Sequence, residues 1–147
     1  MDKITSRNKS VYARQLIGKI RHAMFLARQK ELDPYFISPR QYDILEILHK
    51  LGRKSTLAEL AKYSYRDVST LSGQLTKMEQ EGLLAKTREK PKSALISFEL
   101  TKKGFNVYKK SNKMKSVKSI MSVLSTEELP QLISMLEKIL TSAENYQ

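Results

Sequence analysis

The chain has 147 residues, of which 40% are hydrophobic, and it carries a formal net charge of +12 with no cysteine. This composition predicts one globular domain, and the missing cysteines exclude disulfides, thiolate catalysis and thiolate metal sites. The basic excess favours a polyanionic partner. Because no apolar run is long enough to span a membrane and no signal peptide is recognisable, we expect a cytoplasmic protein without membrane contact.

The first two predicted helices are delimited by clear end signals. Apolar residues recur at helical spacing from Ser10 to Leu32, and Pro34 ends this pattern, which predicts a long first helix. Ser38 followed by Gln41 forms a capping-box signature, so we expect the second helix to begin there and to end at Gly52.

The third and fourth predicted helices follow each other closely. Thr56 and Glu59 repeat the capping box and predict a short third helix through about Lys62. Asp67 is the expected N-cap of the fourth helix, which Gly82 ends. The apolar stripe of the fourth helix should face the core and comprises Val68, Leu71, Leu75 and Met78.

The opposite face of the fourth helix carries small and mostly uncharged side chains. Helical spacing places Ser69, Thr70, Gly73 and Lys77 there, with Thr76 and Gln80 on its flank. Small side chains let a helix approach base edges closely, and hydroxyl groups can donate or accept hydrogen bonds there. This pattern favours a helix-turn-helix that reads DNA. The alternative for Ser69 and Thr70 is that they satisfy the exposed amides of the first helical turn.

The remainder of the chain predicts a hairpin and two more helices. "LLAKTREK" and "ALISFEL" alternate in polarity around the turn "KPKS", which predicts a β-hairpin with a basic tip. Thr101 is the expected cap of one helix over "KKGFNVYKKSNKMKSVKSIMSVL", and Ser125 with Glu128 opens the last helix. The broad apolar stripe of that last helix should be covered by a second copy of the chain and comprises Leu129, Leu132, Ile133, Leu136, Ile139 and Leu140.

Metal and enzyme chemistry are poorly supported by the sequence. His22 and His49 are the only histidines, and both are more typical of a helix edge than of a metal site, so we expect no metal. The chain has no Gly-rich phosphate loop and no Cys/His or Ser/His/Asp spacing, so we expect neither a cofactor nor an enzymatic activity.

The segment from Ser38 to Gly104 resembles the MarR family of bacterial transcription regulators. The likeness depends on the order and spacing of "TLAELAKYSYRDVSTLSGQLTKMEQEGLL", a hairpin and "ELTKKG", and the flanking helices extend it over nearly the whole chain. The resemblance implies a mainly α, dimeric winged helix-turn-helix fold with six helices and a small β-hairpin wing. Residues 36–104 would form the DNA-binding region, and residues 1–35 and 105–147 the dimerisation helices.

The resemblance further implies a homodimeric repressor that binds a near-palindromic operator in double-stranded DNA. By position in the family pattern, the DNA-contacting residues of the recognition helix are Asp67, Ser69, Thr70, Gly73 and Lys77, and those of the wing are Arg88, Lys90 and Lys92. The family often has arginine where Gly73 stands, and its wing usually has Asp-x-Arg where this chain has Lys92-Ser93-Ala94. Wing contacts must therefore come from the lysines or from Arg88, which favours weaker minor-groove selectivity.

Two alternatives remain open at the level of the sequence. The departures at Gly73 and in the wing are compatible with a dimeric partner-binding module that has the winged-helix fold but lacks sequence-specific DNA recognition. Many MarR relatives also bind small aromatic or anionic molecules, and the candidates for such a pocket are Tyr12, Arg21, His22, Phe25 and Tyr42. The alternative for these rings is that they fill the core between helices.

Overall fold

The computed structural model describes residues 7–88 and 96–146. Its elements in chain order are α1 (Lys9–Leu32), a 3-10 turn (Asp33–Tyr35), α2 (Pro39–Lys50), β1 (Lys54–Thr56), α3 (Leu57–Ser64), α4 (Val68–Gln80), β2 (Leu84–Arg88), β3 (Ile96–Leu100), α5 (Lys102–Ser111), α6 (Lys115–Met121) and α7 (Glu128–Asn145). The contacts divide the chain into a central unit, Arg28–Lys113, and a terminal unit made of Met1–Ala27 and Met114–Gln147.

The predicted helix starts are confirmed by their hydrogen bonds. The Ser38 hydroxyl accepts from the Gln41 N–H at 3.2 Å, and the Gln41 side chain accepts from the Ser38 N–H at 3.0 Å, which completes the capping box of α2. The Thr56 hydroxyl accepts from the Glu59 N–H at 3.2 Å at the start of α3. Such bonds satisfy amides that have no partner within the helix, so the local sequence decides where each helix begins.

The central unit is built around α2, α3 and α4, which pack against a small sheet. The sheet is three-stranded and antiparallel in the order β1-β3-β2, with Leu84 opposite Leu100 and Ser55 opposite Phe98. The side chains that are fully buried within it are Leu32, Ile44, Leu45, Leu48, Leu60, Leu71, Leu75, Met78 and Leu84. This core fixes α4 to the base of the hairpin.

The sequence did not predict β1. Lys54–Thr56 has three residues and no alternation, so it carries no strand signal of its own. It becomes a strand because it pairs with β3, where Lys54 lies opposite Glu99.

Two expectations about helices need correction. The single helix predicted after Thr101 is interrupted between α5 and α6, where Met114 adopts a left-handed backbone with φ of 54°. The Ser111 hydroxyl donates to the Val107 carbonyl at 2.6 Å, a local bond that competes with helix propagation and precedes the poor helix former Asn112. The six-helix architecture is otherwise confirmed, with α5 and α6 standing for the predicted fifth helix.

The second correction concerns Val68. We predicted it to be in the core, but it is 51% exposed, whereas Leu71, Leu75 and Met78 are completely buried. Val68 is the first residue of α4, and side chains lean toward the N-terminus of a helix, so this side chain overhangs the helix end.

The terminal unit leaves much apolar surface exposed. The last helix is capped as predicted, since the Ser125 hydroxyl accepts from the Glu128 N–H at 3.1 Å and the Glu128 carboxylate accepts from the Ser125 N–H at 2.9 Å. No described residue of α7 is buried, and its exposed large apolar side chains are Ile133, Met135, Leu136, Ile139 and Leu140. Within residues 7–88 and 96–146, no helix is long and apolar enough to cross a membrane.

Candidate nucleic-acid interface

The turn that aims α4 is tight and begins with an unusual backbone. Helix α3 ends at Ser64, Tyr65 adopts a left-handed conformation with φ of 56°, and α4 begins directly after Asp67. A left-handed residue reverses the chain within a few residues, but it costs a non-glycine side chain conformational energy. The result is a helix-turn-helix in which the N-terminal end of α4 is solvent-exposed.

A hydrogen-bond network organises the first turn of α4. Asp67 Oδ1 accepts from the Thr70 N–H at 2.8 Å and from the Ser69 hydroxyl at 2.7 Å, and Asp67 Oδ2 accepts from the Thr70 hydroxyl at 2.9 Å. The bond from the Thr70 amide, followed by those from the two hydroxyls, lowers the pKa of Asp67 to about 2. Asp67 therefore satisfies the exposed amide, and the two hydroxyls bind Asp67 instead of capping amides themselves.

All five residues proposed for the recognition helix lie on the exposed side of the helix-turn-helix. Gly73 lies near the middle of this face, and a Cβ built there would have no atom within 4 Å. The Thr76 hydroxyl on the flank donates to the Ser72 carbonyl at 3.0 Å, and Lys77 is exposed. We call the exposed surface formed by Ser69, Thr70, Gly73, Thr76 and Lys77 the α4 face. Lys77 gives this surface one formal positive charge.

The C-terminal end of α4 is fastened to the start of α5. The Lys103 ammonium donates to the Glu81 carbonyl at 2.8 Å, and the Thr101 hydroxyl donates to the Gly82 carbonyl at 2.6 Å. Gly104 is buried directly against the Leu83 backbone. These contacts hold α4, the base of the hairpin and α5 in one arrangement, which a surface that docks on a rigid duplex requires.

The described part of the hairpin supplies basic side chains. Lys86 and Arg88 are exposed on β2, and Arg88 lies opposite Ile96 of β3. Lys90 and Lys92, which the sequence also proposed for the wing, lie outside the described residues. The pairing of β1 with β3 adds the exposed Lys54 to the sheet, a contribution that the sequence could not indicate because it depends on strand pairing.

The five residues proposed for a ligand pocket divide between the two units. Tyr12, Arg21, His22 and Phe25 lie on the part of α1 that belongs to the terminal unit, whereas Tyr42 lies on α2 in the central unit. Of the four on α1, Phe25 is half-buried and the other three are exposed.

Tyr42 is buried in the central unit, and burial raises its pKa. Its ring centroid is 5.8 Å from that of Tyr108 and 4.6 Å from the Arg28 guanidinium, which forms an ion pair with Glu31 at 3.0 Å. These contacts agree with the core-filling alternative for Tyr42, and the ligand pocket stays a prediction.

A helix-turn-helix followed by an antiparallel hairpin that packs on it defines the class of winged helix-turn-helix proteins. The resemblance to the MarR family is confirmed by the model of that family, which matches residues 37–90. These residues run from the start of α2 into the hairpin and include the whole α4 face. No curated protein sequence matches the chain significantly.

Solved structures of transcription regulators have the same fold over nearly the whole chain. The ligand-free form of the organohalide sensing regulator RdhR-CbdbA1625 is 22% identical, with a TM-score of 0.87 over 97% of this chain and 85% of that one. AbsC, a MarR family regulator from Streptomyces coelicolor, is 21% identical, with a TM-score of 0.83 over 99% of both chains. A mutant MarR from E. coli, complexed with operator DNA, is 18% identical, with a TM-score of 0.82 over 90% of this chain and 96% of that one.

Proposed function

We propose that this protein is a sequence-specific, double-stranded-DNA-binding transcription regulator that acts as a homodimeric repressor in the cytoplasm. The observation that carries the proposal is the α4 face: an exposed, small-residue helix surface whose opposite side is buried, fastened at its C-terminal end to a hairpin with exposed Lys86 and Arg88. The match of residues 37–90 to the MarR family model supports it, as does the fold shared with a MarR variant that was solved on operator DNA.

The homodimer is part of the proposal because a near-palindromic operator needs two copies of α4. The exposed apolar side chains of α7, such as Leu136 at 41% and Ile139 at 52%, are a surface that a second copy would cover. In such a dimer, the two copies of α4 would enter successive major grooves about one DNA turn, ~34 Å, apart.

Release by a small aromatic or anionic ligand is a further part of the proposal. It is supported by the fold shared with a regulator described as organohalide sensing. A ligand can change DNA affinity only if it prefers one arrangement of the two α4 helices. The proposal includes no enzymatic activity.

The first experiment is selection of binding sites from a random duplex pool, followed by affinity measurement at several salt concentrations. If six to ten phosphates are contacted, affinity should fall by about 10³ to 10⁵ between 50 and 200 mM salt. Lys77→Ala should weaken binding to all duplexes, while Lys138→Ala on α7 is the matched control and should have no effect. A flat salt titration, or equal affinity for selected and scrambled duplexes, would favour the partner-binding alternative.

A second measurement separates base contacts from phosphate contacts. Ser69→Ala or Thr70→Ala should change the preference among operators by ~1–3 kcal/mol wherever a base contact is lost. Lys77→Ala should instead shift all affinities together. If the serine and lysine variants behave alike, the assignment of base reading to the hydroxyls is wrong.

A further inference from the structure

The hydroxyl groups of the α4 face have all committed their protons inside the protein. An ionised carboxylate can only accept hydrogen bonds, so in both contacts with Asp67 the hydroxyls of Ser69 and Thr70 must be the donors. The low pKa of Asp67 keeps this carboxylate ionised at any pH used for DNA binding. On the flank, the Thr76 hydroxyl donates to a backbone carbonyl, which also has no proton to offer.

A hydroxyl whose proton is committed has only lone pairs left for a ligand. Each hydroxyl oxygen has one donor and two acceptor positions, so Ser69 Oγ and Thr70 Oγ1 face solvent as acceptors. The negative charge of Asp67 polarises both O–H groups and makes the oxygens better acceptors. The first turn of α4 therefore presents acceptors, although its sequence would also permit donors.

We propose that the first turn of α4 recognises the exocyclic amino groups of adenine or cytosine in the major groove and does not read guanine. Adenine N6 and cytosine N4 are the hydrogen-bond donors on the major-groove edges, whereas guanine and thymine offer acceptors at O6, N7 and O4. This inference rests on the proposed DNA-binding function and deepens it by naming the base edges that the site selects.

A further feature of the surface fits the same bases. Gly73 lacks a side chain, so it allows the helix axis to approach the base edges, and it lacks the arginine that would pair with guanine. Guanine opposite Ser69 or Thr70 would place acceptor against acceptor in a dehydrated interface, which is costly.

The test uses the full-length protein and duplexes that it selects from a random pool. In the best duplex, each adenine is replaced in turn by purine without the 6-amino group, and each cytosine by the analogue without the 4-amino group. At one or two positions in each half-site, binding should weaken by about fivefold to tenfold, the effect of one lost hydrogen bond. The matched control is 7-deazaadenine, which keeps the amino group and lacks N7, and it should change binding less than about twofold at these positions.

Two variants that lack a hydroxyl group show whether the amino groups contact the named residues. Ser69→Ala and Thr70→Val should each abolish the sensitivity to amino-group removal at one position and leave it intact elsewhere. Each variant has already lost its hydroxyl contact, so removal of the amino group that made this contact should not weaken binding further. If both variants keep the full sensitivity at every position, the inference is wrong.

A third variant changes the direction of the hydrogen bonds. Asp67→Asn keeps the shape of the cap but replaces one carboxylate oxygen by an amide NH₂ group, which is a donor. The hydroxyl that faces this group must therefore accept a hydrogen bond from Asn, and its own proton can then be donated to a base. Operators selected by this variant should gain guanine or thymine at that position, while Asp33→Asn, the same charge change on the 3-10 turn, should retain the wild-type preference.

The possible failures can be told apart. If no duplex is enriched over scrambled DNA, the proposed function itself fails, and the inference fails with it. If duplexes are enriched but every amino-group deletion is neutral, or guanine N7 is required opposite Ser69 and Thr70, only the inference is overturned. The amino-group deletions on the wild-type protein decide this even if the Asp67 variant does not fold.

Discussion

Replacement of Gly104 by alanine should destabilise the protein although it occurs in a helix. Gly104 lies in the first turn of α5, and its N–H donates to the Thr101 hydroxyl at 3.0 Å. A Cβ added there would lie inside van der Waals contact of the Leu83 carbonyl oxygen and 3.4 Å from Leu100 Cδ2. Because the nearest obstacle is backbone, it cannot rotate away as a side chain would.

The expected size follows from three terms. Overpacking at a tight site costs ~1–3 kcal/mol. Moving the Leu83 carbonyl also weakens the bond that it accepts from the Thr101 N–H at 3.2 Å, which costs about 1 kcal/mol. Alanine regains about 1 kcal/mol of helix propensity over glycine. The free energy of unfolding should therefore fall by about 1–3 kcal/mol.

Urea denaturation followed by circular dichroism measures this change, with both proteins at one concentration because association in the proposed homodimer would contribute to stability. Gly73→Ala is the matched control, since its Cβ would meet no atom within 4 Å and the helix should gain about 0.5–1 kcal/mol. Opposite signs for the two variants are expected. A Gly104→Ala protein that is as stable as the wild type would show that α5 does not pack against the Leu83 backbone as described.

Three further predictions concern caps, pH and assembly. Ser38→Ala should lower the free energy of unfolding by about 1 kcal/mol in urea melts, because α2 loses its capping box. The control Ser72→Ala, on the exposed surface of α4, should leave the free energy of unfolding nearly unchanged, and equal effects of the two substitutions would contradict the capping role. The pKa of Asp67 is lowered from 3.8 to about 2, so the ionised cap stabilises the folded protein above pH 4, and this stabilisation is lost as the pH falls toward 2. In a pH series of melts, the free energy of unfolding of Asp67→Asn should therefore fall less than that of the wild type in this window. Identical pH profiles for the two proteins would exclude the cap. Leu136→Glu places a charge on the exposed apolar surface of α7, so this variant should be monomeric in light scattering. The control Gln131→Glu, on the same helix, should be dimeric. A dimeric Leu136→Glu protein would show that the interface lies elsewhere.

Much of the fold was predictable because its signals are local. A capping box joins residues three positions apart, so Ser38 with Gln41 and Ser125 with Glu128 could be recognised directly in the sequence. The amphipathic pattern of α4 likewise separates Leu71, Leu75 and Met78 from the residues of the α4 face. The proposed recognition residues could therefore be named before any contact was known.

Other features were decided only by the tertiary structure. β1 exists because β3 is beside it, and the break at Met114 depends on a balance between weak local propensities and the packing of each segment. The direction of the hydrogen bonds around Asp67 is a further case. The sequence permits the hydroxyls of Ser69 and Thr70 either to donate to a ligand or to accept from one, whereas in the structure both donate to Asp67. The sequence alone determined which groups lie on the α4 face, since helical periodicity is a property of neighbouring residues. Only the folded structure decided which donor and acceptor positions of these groups remain available to a ligand, because the hydroxyl protons of Ser69 and Thr70 are already donated to Asp67.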